Sequence, residues 1–283
     1  YVNTLDGEPI KPAEDLLQTG DIITMVNGSD VTTKEDFRYI IESSEGDIKL
    51  QILREEMENE IIITPVLSKD EEVRKIGVYI RDSTQVIGTV TYYNPESKNF
   101  GALGHGIVDV DTKQLLSIKQ GKIFRSTISD VKKGKKGIPG ELVGDVISDE
   151  TFGHIYNNNE LGIFGHIDES QLRFFPQEKM QIALQSEVHE GPAKIKANVN
   201  GELVEEFDIY IEAINRYTKD DSKGMVIKII DPELLERTNG IVQGMSGSPI
   251  TQDGKLVGAI THVFVQEPSK GYGIFIENML KQE

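Results

Sequence analysis

The sequence predicts a mainly β protein in two parts, a small module over residues 1–68 and a larger barrel or sandwich over 69–283. Three observations carry that reading. From Ile76 onward the apolar segments are short and punctuated by glycine, the texture of strands joined by turns. The turn dipeptides Asn27-Gly28, Asn200-Gly201 and Asp253-Gly254 each sit between such segments, as two-residue hairpins require. Helical periodicity is confined to 33–43, 232–237 and 276–281.

The first module opens with a strand ending at Val26 and closed by Asn27-Gly28. Thr32 stands three residues before Glu35, the spacing of a capping box, and Phe37, Ile40 and Ile41 share one helical face up to Gly46. Two further strands are expected at 48–54 and 60–66, separated by the acidic run Glu55, Glu56, Glu58. The glycine-aspartate-apolar-apolar and asparagine-glycine signature within 13–28 resembles the second half of a PDZ domain. That resemblance implies a peptide-capturing groove beside the helix at 33–43, with the N-terminal part of the domain incomplete.

Residues 68–75 are charged and read as a linker. Beyond them, strands are expected at 76–80, 86–92, 107–110, 122–129 and 163–166, with a hairpin of 194–199 and 202–211 about Asn200-Gly201. Gly101-Ala102-Leu103-Gly104-His105 is echoed by Gly162-Ile163-Phe164-Gly165-His166, too short a likeness to define a repeat.

The formal net charge of −17 over 283 residues disfavours nucleic acid and anionic lipid, because an acidic surface repels phosphate. The single basic run, Lys132-Lys133-Gly134-Lys135-Lys136-Gly137, reads as a solvated loop. Cysteine is absent, which excludes a cysteine nucleophile and disulfides alike. No apolar run approaches the ~18 residues of a spanning helix, and the chain opens on Tyr1, so any membrane attachment is expected through a segment upstream of it. No pair of histidines has ligand spacing and no glycine loop suits a phosphate, so neither metal nor cofactor is expected.

The chemistry centres on Gly244-Met245-Ser246-Gly247-Ser248-Pro249. Glycines flanking a serine expose its hydroxyl and leave backbone N–H groups free to face an oxyanion, here those of Gly244 and Ser246. The following Asp253-Gly254 hairpin and its returning apolar strand complete a layout that resembles the nucleophile loop of chymotrypsin-like serine peptidases. Serine needs a base, and histidine titrates in the right range. Among the five, His105 is preferred because it closes an apolar segment after a glycine, and His166 shares that setting. His154 and His189 read as loop residues and His262 as a packed residue on the returning strand. For the acid that orients the base, residue pattern leaves Asp231, Asp109 and Asp111 open. Asp231 before Pro232 also has the form of a helix N-cap.

Three long stretches, Gly101 to His105, Asp231 to Glu236 and Gly240 to Ile250, together with Thr261 to Val265 and Gly271-Tyr272-Gly273, resemble the stage IV sporulation protein B family. The resemblance implies a PDZ domain followed by a chymotrypsin-like double β-barrel, with Ser246 as nucleophile, His105 as general base and Asp231 as acid. It further implies an exported sporulation peptidase that cleaves itself and a membrane-anchored regulator in the space between mother-cell and forespore membranes. Met245 stands where many chymotrypsin-like enzymes carry the aspartate of zymogen activation, so control by that ion pair is not expected. The alternative is a signalling adaptor whose PDZ domain works while the peptidase fold is idle.

Overall fold

A computed structural model describes residues 1–118, 120–148, 150–176 and 178–282. The chain forms two compact units, one of residues 1–85 with 110–112 and one of 86–109 with 113–283.

In the first unit, β1 (Ile22–Val26), helix α1 (Lys34–Ser43), β2 (Ile48–Arg54) and β3 (Met57–Ile63) follow one another. The sheet order is the short strand Ser29–Asp30, then β1, β2 and β3, all antiparallel. Asn27 and Gly28 both have positive φ, 50° and 80°, the geometry that an Asn-Gly hairpin adopts. The helix starts one residue later than the capping-box spacing suggests. Thr33, not Thr32, is the N-cap, accepting from Asp36 N–H, and Ser44 closes the helix before Gly46 is reached.

The boundary between the units also lies later than residue 68. Ile76 is buried, and Ile76, Val78 and Ile80 pack with Phe37, Ile41 and Leu50 in the core of the first unit. The segment 76–80 thus contributes apolar side chains without forming the expected strand. Charge over 68–75 predicts a linker, but the apolar residues beyond it are drawn into the nearest core, where each buried aliphatic adds roughly 1.5–3 kcal/mol.

The second unit is mainly β, as expected. Its first part contains β4 (Val90–Tyr93), β5 (Asn99–Ala102), β6 (Gly121–Ile123), β7 (Ser126–Lys132), β8 (Gly140–Val146), β9 (Gly153–Asn159) and β10 (Gly162–Ile167). The five-stranded sheet runs β6-β9-β10-β5-β4. The strand expected at 122–129 divides into β6 and β7, and 107–110 forms only an isolated bridge from Val108 to Leu115.

Its second part is a closed six-stranded barrel. The strands are β11 (Gly191–Asn200), β12 (Leu203–Ile214), β13 (Met225–Ile229), β15 (Pro249–Gln252), β16 (Lys255–Val263) and β17 (Lys270–Phe275). Between β13 and β15 lie helix α2 (Pro232–Thr238) and the two-residue β14 (Val242–Gln243). The barrel order is β11-β12-β13-β17-β16-β15, closed by Ile195 opposite Ile250. Alternation dictates the inside: Ile195, Ala197 and Val199 from β11 meet Phe207, Ile209 and Ile211 from β12 in one core. The short β14 pairs in parallel with β8, Glu141 opposite Gln243, and so hangs the turn that follows it on the first part of the unit. Among the described residues no helix is long and apolar enough to cross a membrane.

Candidate active site

Ser246 lies in the turn from β14 to β15, between Gly244 at φ 100° and Gly247 at φ 89°. Both glycines adopt backbone conformations that side chains disfavour. Met245 between them is 1% exposed and packs in the barrel core, so an apolar anchor holds the turn where an ion pair would serve in other enzymes. Met245 N–H is spent on Val242 O at 3.1 Å, Gly247 N–H on Ile260 O at 2.8 Å and Ser248 N–H on Met245 O at 3.0 Å. The N–H groups of Gly244 and Ser246 have no acceptor among the described residues. A turn that satisfies its other amides and leaves these two open has the composition of an oxyanion site.

His105 reaches this turn from β5. Leu103 and Gly104 follow the strand with φ of 68° and 70°, and two successive left-handed residues swing the chain out of the sheet. Leucine there is strained, the kind of strain found where function fixes the backbone. Three bonds lock the approach: Thr89 N–H to Ser246 O at 2.9 Å, Leu103 N–H to Thr89 O at 3.2 Å, and Thr91 Oγ1–H to Gly247 O at 2.8 Å.

The result is a contact of 2.9 Å between His105 Nε2 and Ser246 Oγ. His105 Nδ1 lies 3.0 Å from Gly106 O. A carbonyl can only accept, so Nδ1 carries the proton of the neutral ring and Nε2 is left basic toward the serine. Ser246 Oγ also lies 2.9 Å from Thr261 O, a second acceptor for its single proton. Burial holds the His105 pKa below the usual imidazole range, with only the Gly106 carbonyl opposing.

His262 joins this arrangement. Its ring sits 4.8 Å from that of His105, tilted by 35°. Residues 262 and 105 thus form an imidazole pair, and His262 keeps a side in solvent rather than being packed in the core as its strand position suggests. Burial against the neighbouring ring, followed by repulsion from His105 and Lys223, lowers its pKa to about 4.

The expected acid does not complete a triad. Asp231 caps α2: its Oδ1 accepts from Glu233 and Leu234 N–H, both at 3.0 Å, and its Oδ2 from Asp208 N–H at 3.3 Å. With Pro232 at the first helical position, those orphan amides claim the carboxylate first. Asp111 pairs with Arg81 in the first unit, and Asp109 closes a turn by backbone bonds to Lys113 and Gln114. The partner of His105 Nδ1 is instead a main-chain carbonyl, that of Gly106. Asp231→Asn keeps a capping oxygen and is expected to retain peptidase activity within a few-fold, with a small loss of melting temperature. A triad acid changed to its amide costs about 10,000-fold, so kcat of this variant decides the role.

The remaining histidines stand apart. His154 faces Asp168 at 3.5 Å, His166 faces Asn99 at 3.4 Å, and His189 pairs with Asp253 at 2.8 Å.

Residues 72–280 match the family model described as SpoIVB peptidase S55. The chain belongs to that family. It is a serine peptidase, and its substrates are proteins. Among solved structures, the SpoIVB-family chain is similar to the Rv3671c protease from M. tuberculosis in its active form. That match has 10% identity and a TM-score of 0.35, over 73% of this chain and 92% of the other. A serine-to-alanine mutant of the same protease, in an inactive form, gives 10% identity and 0.34 over 69% and 96%. At scores this low the family assignment rests on the family model alone. Curated proteins give no match.

Proposed function

We propose that this SpoIVB-family peptidase cuts polypeptides with Ser246 as nucleophile and His105 as general base. The observation that carries the proposal is the 2.9 Å Nε2–Oγ contact with the ring's other nitrogen held by Gly106 O. Ser246 Oγ attacks the peptide carbonyl as its proton passes to Nε2. The carbonyl π electrons move onto oxygen, which the N–H groups of Gly244 and Ser246 receive. Collapse expels the amine, which takes the proton back from the imidazolium. Water then repeats the sequence on the acyl-serine and releases the new carboxylate.

In this reading the enzyme is an exported signalling peptidase of sporulation, acting between the mother-cell and forespore membranes. It cleaves itself and a membrane-anchored regulator and so triggers activation of a late sigma factor. The first unit acts as a PDZ-type peptide-capturing module beside α1. The support is family membership together with the Ser246–His105 contact. Purified protein incubated with a serine-directed fluorophosphonate tests the chemistry apart from the biology. Labelling at Ser246, blocked by His105→Ala, is the expected result, and an unmodified Ser246 would leave an idle adaptor. Release of fragments from a candidate membrane-anchored regulator tests the biology.

The pH dependence follows from burial. The base must be neutral to take a proton, and the folded-state pKa of His105 lies below its ordinary 6.5. We expect kcat/KM to rise with pH to a plateau whose midpoint lies below 6.5. Stability has the same sign: the depressed groups His105 and His262 bind fewer protons folded than unfolded, so stability falls as pH drops from about 6.5 toward about 4. A pH series of kcat/KM and of thermal melts reads both, and a midpoint above 6.5 contradicts the buried base.

A further inference from the structure

The basic loop between β7 and β8 is built rather than frayed. Lys135 and Ile138 exchange backbone bonds at 2.8 Å in both directions, closing a tight hairpin. Gly134 N–H donates to Thr238 O at 3.0 Å, Asn239 Nδ2 to Gly134 O at 2.6 Å, and Gly137 N–H to Val265 O at 2.8 Å. Lys132 is neutralised by Glu141 at 2.9 Å. Lys133, Lys135 and Lys136 are exposed and have no carboxylate partner among the described residues. In a chain of net charge −17, three uncompensated cations on a hydrogen-bonded loop form a local exception.

Their position connects them to the reaction. Beyond Ala259, β16 loses its β15 neighbour. Ile260 is held by Ser248 and Gly247, Thr261 O by the Ser246 hydroxyl, and Val265 O by Gly137 of the basic loop. A substrate polypeptide that leaves Ser246 in the direction running from Thr261 to Val265 passes from the nucleophile toward the lysines. From Thr261 to Val265 is four residues, about 13 Å of strand. Where it arrives, Ile138 is 64% and Val265 42% exposed, a small apolar step beside the cations.

Resting on the peptidase reading, we infer that Lys133, Lys135 and Lys136, with Ile138 and Val265, form an exosite for an acidic, apolar-flanked segment of the substrate polypeptide, about four to six residues from the cleaved bond. The overall negative charge does not oppose this at physiological salt, because screening over ~8 Å leaves the three nearest lysines in control. Rim charges of this kind govern encounter and selectivity more than turnover.

The test is binding to the Ser246→Ala protein, read by fluorescence anisotropy with two labelled peptides. They are identical except that one carries four Glu where the other carries four Gln, each next to a Leu. The Glu peptide is expected to bind roughly tenfold more tightly at low salt. That preference vanishes or inverts when Lys133→Glu, Lys135→Glu and Lys136→Glu are added, and it collapses in 1 M salt. The milder Lys→Gln set at the same positions serves if the reversal fails to fold. Fluorophosphonate labelling of the lysine variants with Ser246 intact reports that the site is preserved. Equal affinity for the two peptides, or a preference that survives both lysine sets, overturns the exosite. Failure of the parent to label would instead overturn the peptidase reading, independently of binding.

Discussion

Ser246→Ala and His105→Ala are each expected to lower kcat by about 10,000-fold or more, and the double variant no further than the worse single one. Residues acting through one proton transfer are not additive, since neither has a catalytic use without the other. The structure makes this dependence local. Nε2 is 2.9 Å from Oγ, and Thr261 O, the other acceptor at 2.9 Å, is a carbonyl too weakly basic to take the proton. Neither substitution disturbs a core position, because both residues are only half-buried, so melting temperatures should stay near the parent value. Single-turnover cleavage of a fluorogenic peptide and a thermal melt, run on the four proteins together, separate lost chemistry from lost fold. Two singles that differ by orders of magnitude from the double variant would show that the pair does not act as a unit. Wild-type rates in both singles would remove the mechanism entirely.

The pairing of Ser246 with His105 was legible because each is announced by local backbone chemistry. Glycines on both sides of Ser246 signal a turn that no side chain could follow, and Gly104 before His105 signals a chain leaving its strand. Thr261 was legible in principle as well. A hairpin centred on Asp253-Gly254 sets residues whose numbers sum to 507 opposite one another, and 246 with 261 is such a pair. The observed register, Gln252 with Lys255 and then Pro249 with Ala259, slips by one through a bulge yet keeps Thr261 beside Ser246. The echo between the glycine segments ending in His105 and His166 has a structural meaning too: they lie on paired strands, Gly101 opposite Phe164.

The partner of His105 Nδ1 was not legible, because it is a main-chain carbonyl, which carries no residue identity. Asp231 had two readings from sequence, and the helix-capping one is the geometry the carboxylate adopts. The unit boundary was missed for a different reason. Charge in 69–75 reports solvent exposure of a segment, whereas the core that Ile76 joins depends on contacts distant in sequence. His262 was missed for the same reason, since stacking on His105 is set by how β5 and β16 meet rather than by either strand alone.

The meeting of those strands yields the other large expected effect. Gly247→Ala should abolish activity and cost substantial stability, even though the change adds one methyl group. The position has φ of 89°, which a side chain strains. A Cβ there would also stand 2.1 Å from Thr89 O and 2.5 Å from Leu103 N, and both are backbone atoms that cannot rotate aside. Thr89 and Leu103 are the residues that lock the base to the nucleophile turn, through Thr89 N–H to Ser246 O and Leu103 N–H to Thr89 O. Relief of the clash must therefore move β5 and the Leu103-Gly104 bend away from the turn, and His105 travels with them. A shift of about 1 Å at the reacting atoms is enough to cost roughly a hundredfold. The Thr91 bond to Gly247 O at 2.8 Å would be lost as well, leaving a buried hydroxyl unpaired at about 1–3 kcal/mol. Gly254→Ala is the matched control, since it too has positive φ, 75°, but meets no heavy atom within 4 Å of an added Cβ. Fluorophosphonate labelling and thermal melts of the two variants give the comparison. Gly254→Ala should label as the parent does, with only a modest drop in melting temperature, while Gly247→Ala should not label. Equal labelling of both would mean that the close packing of the nucleophile turn against β5 does not set the position of the base.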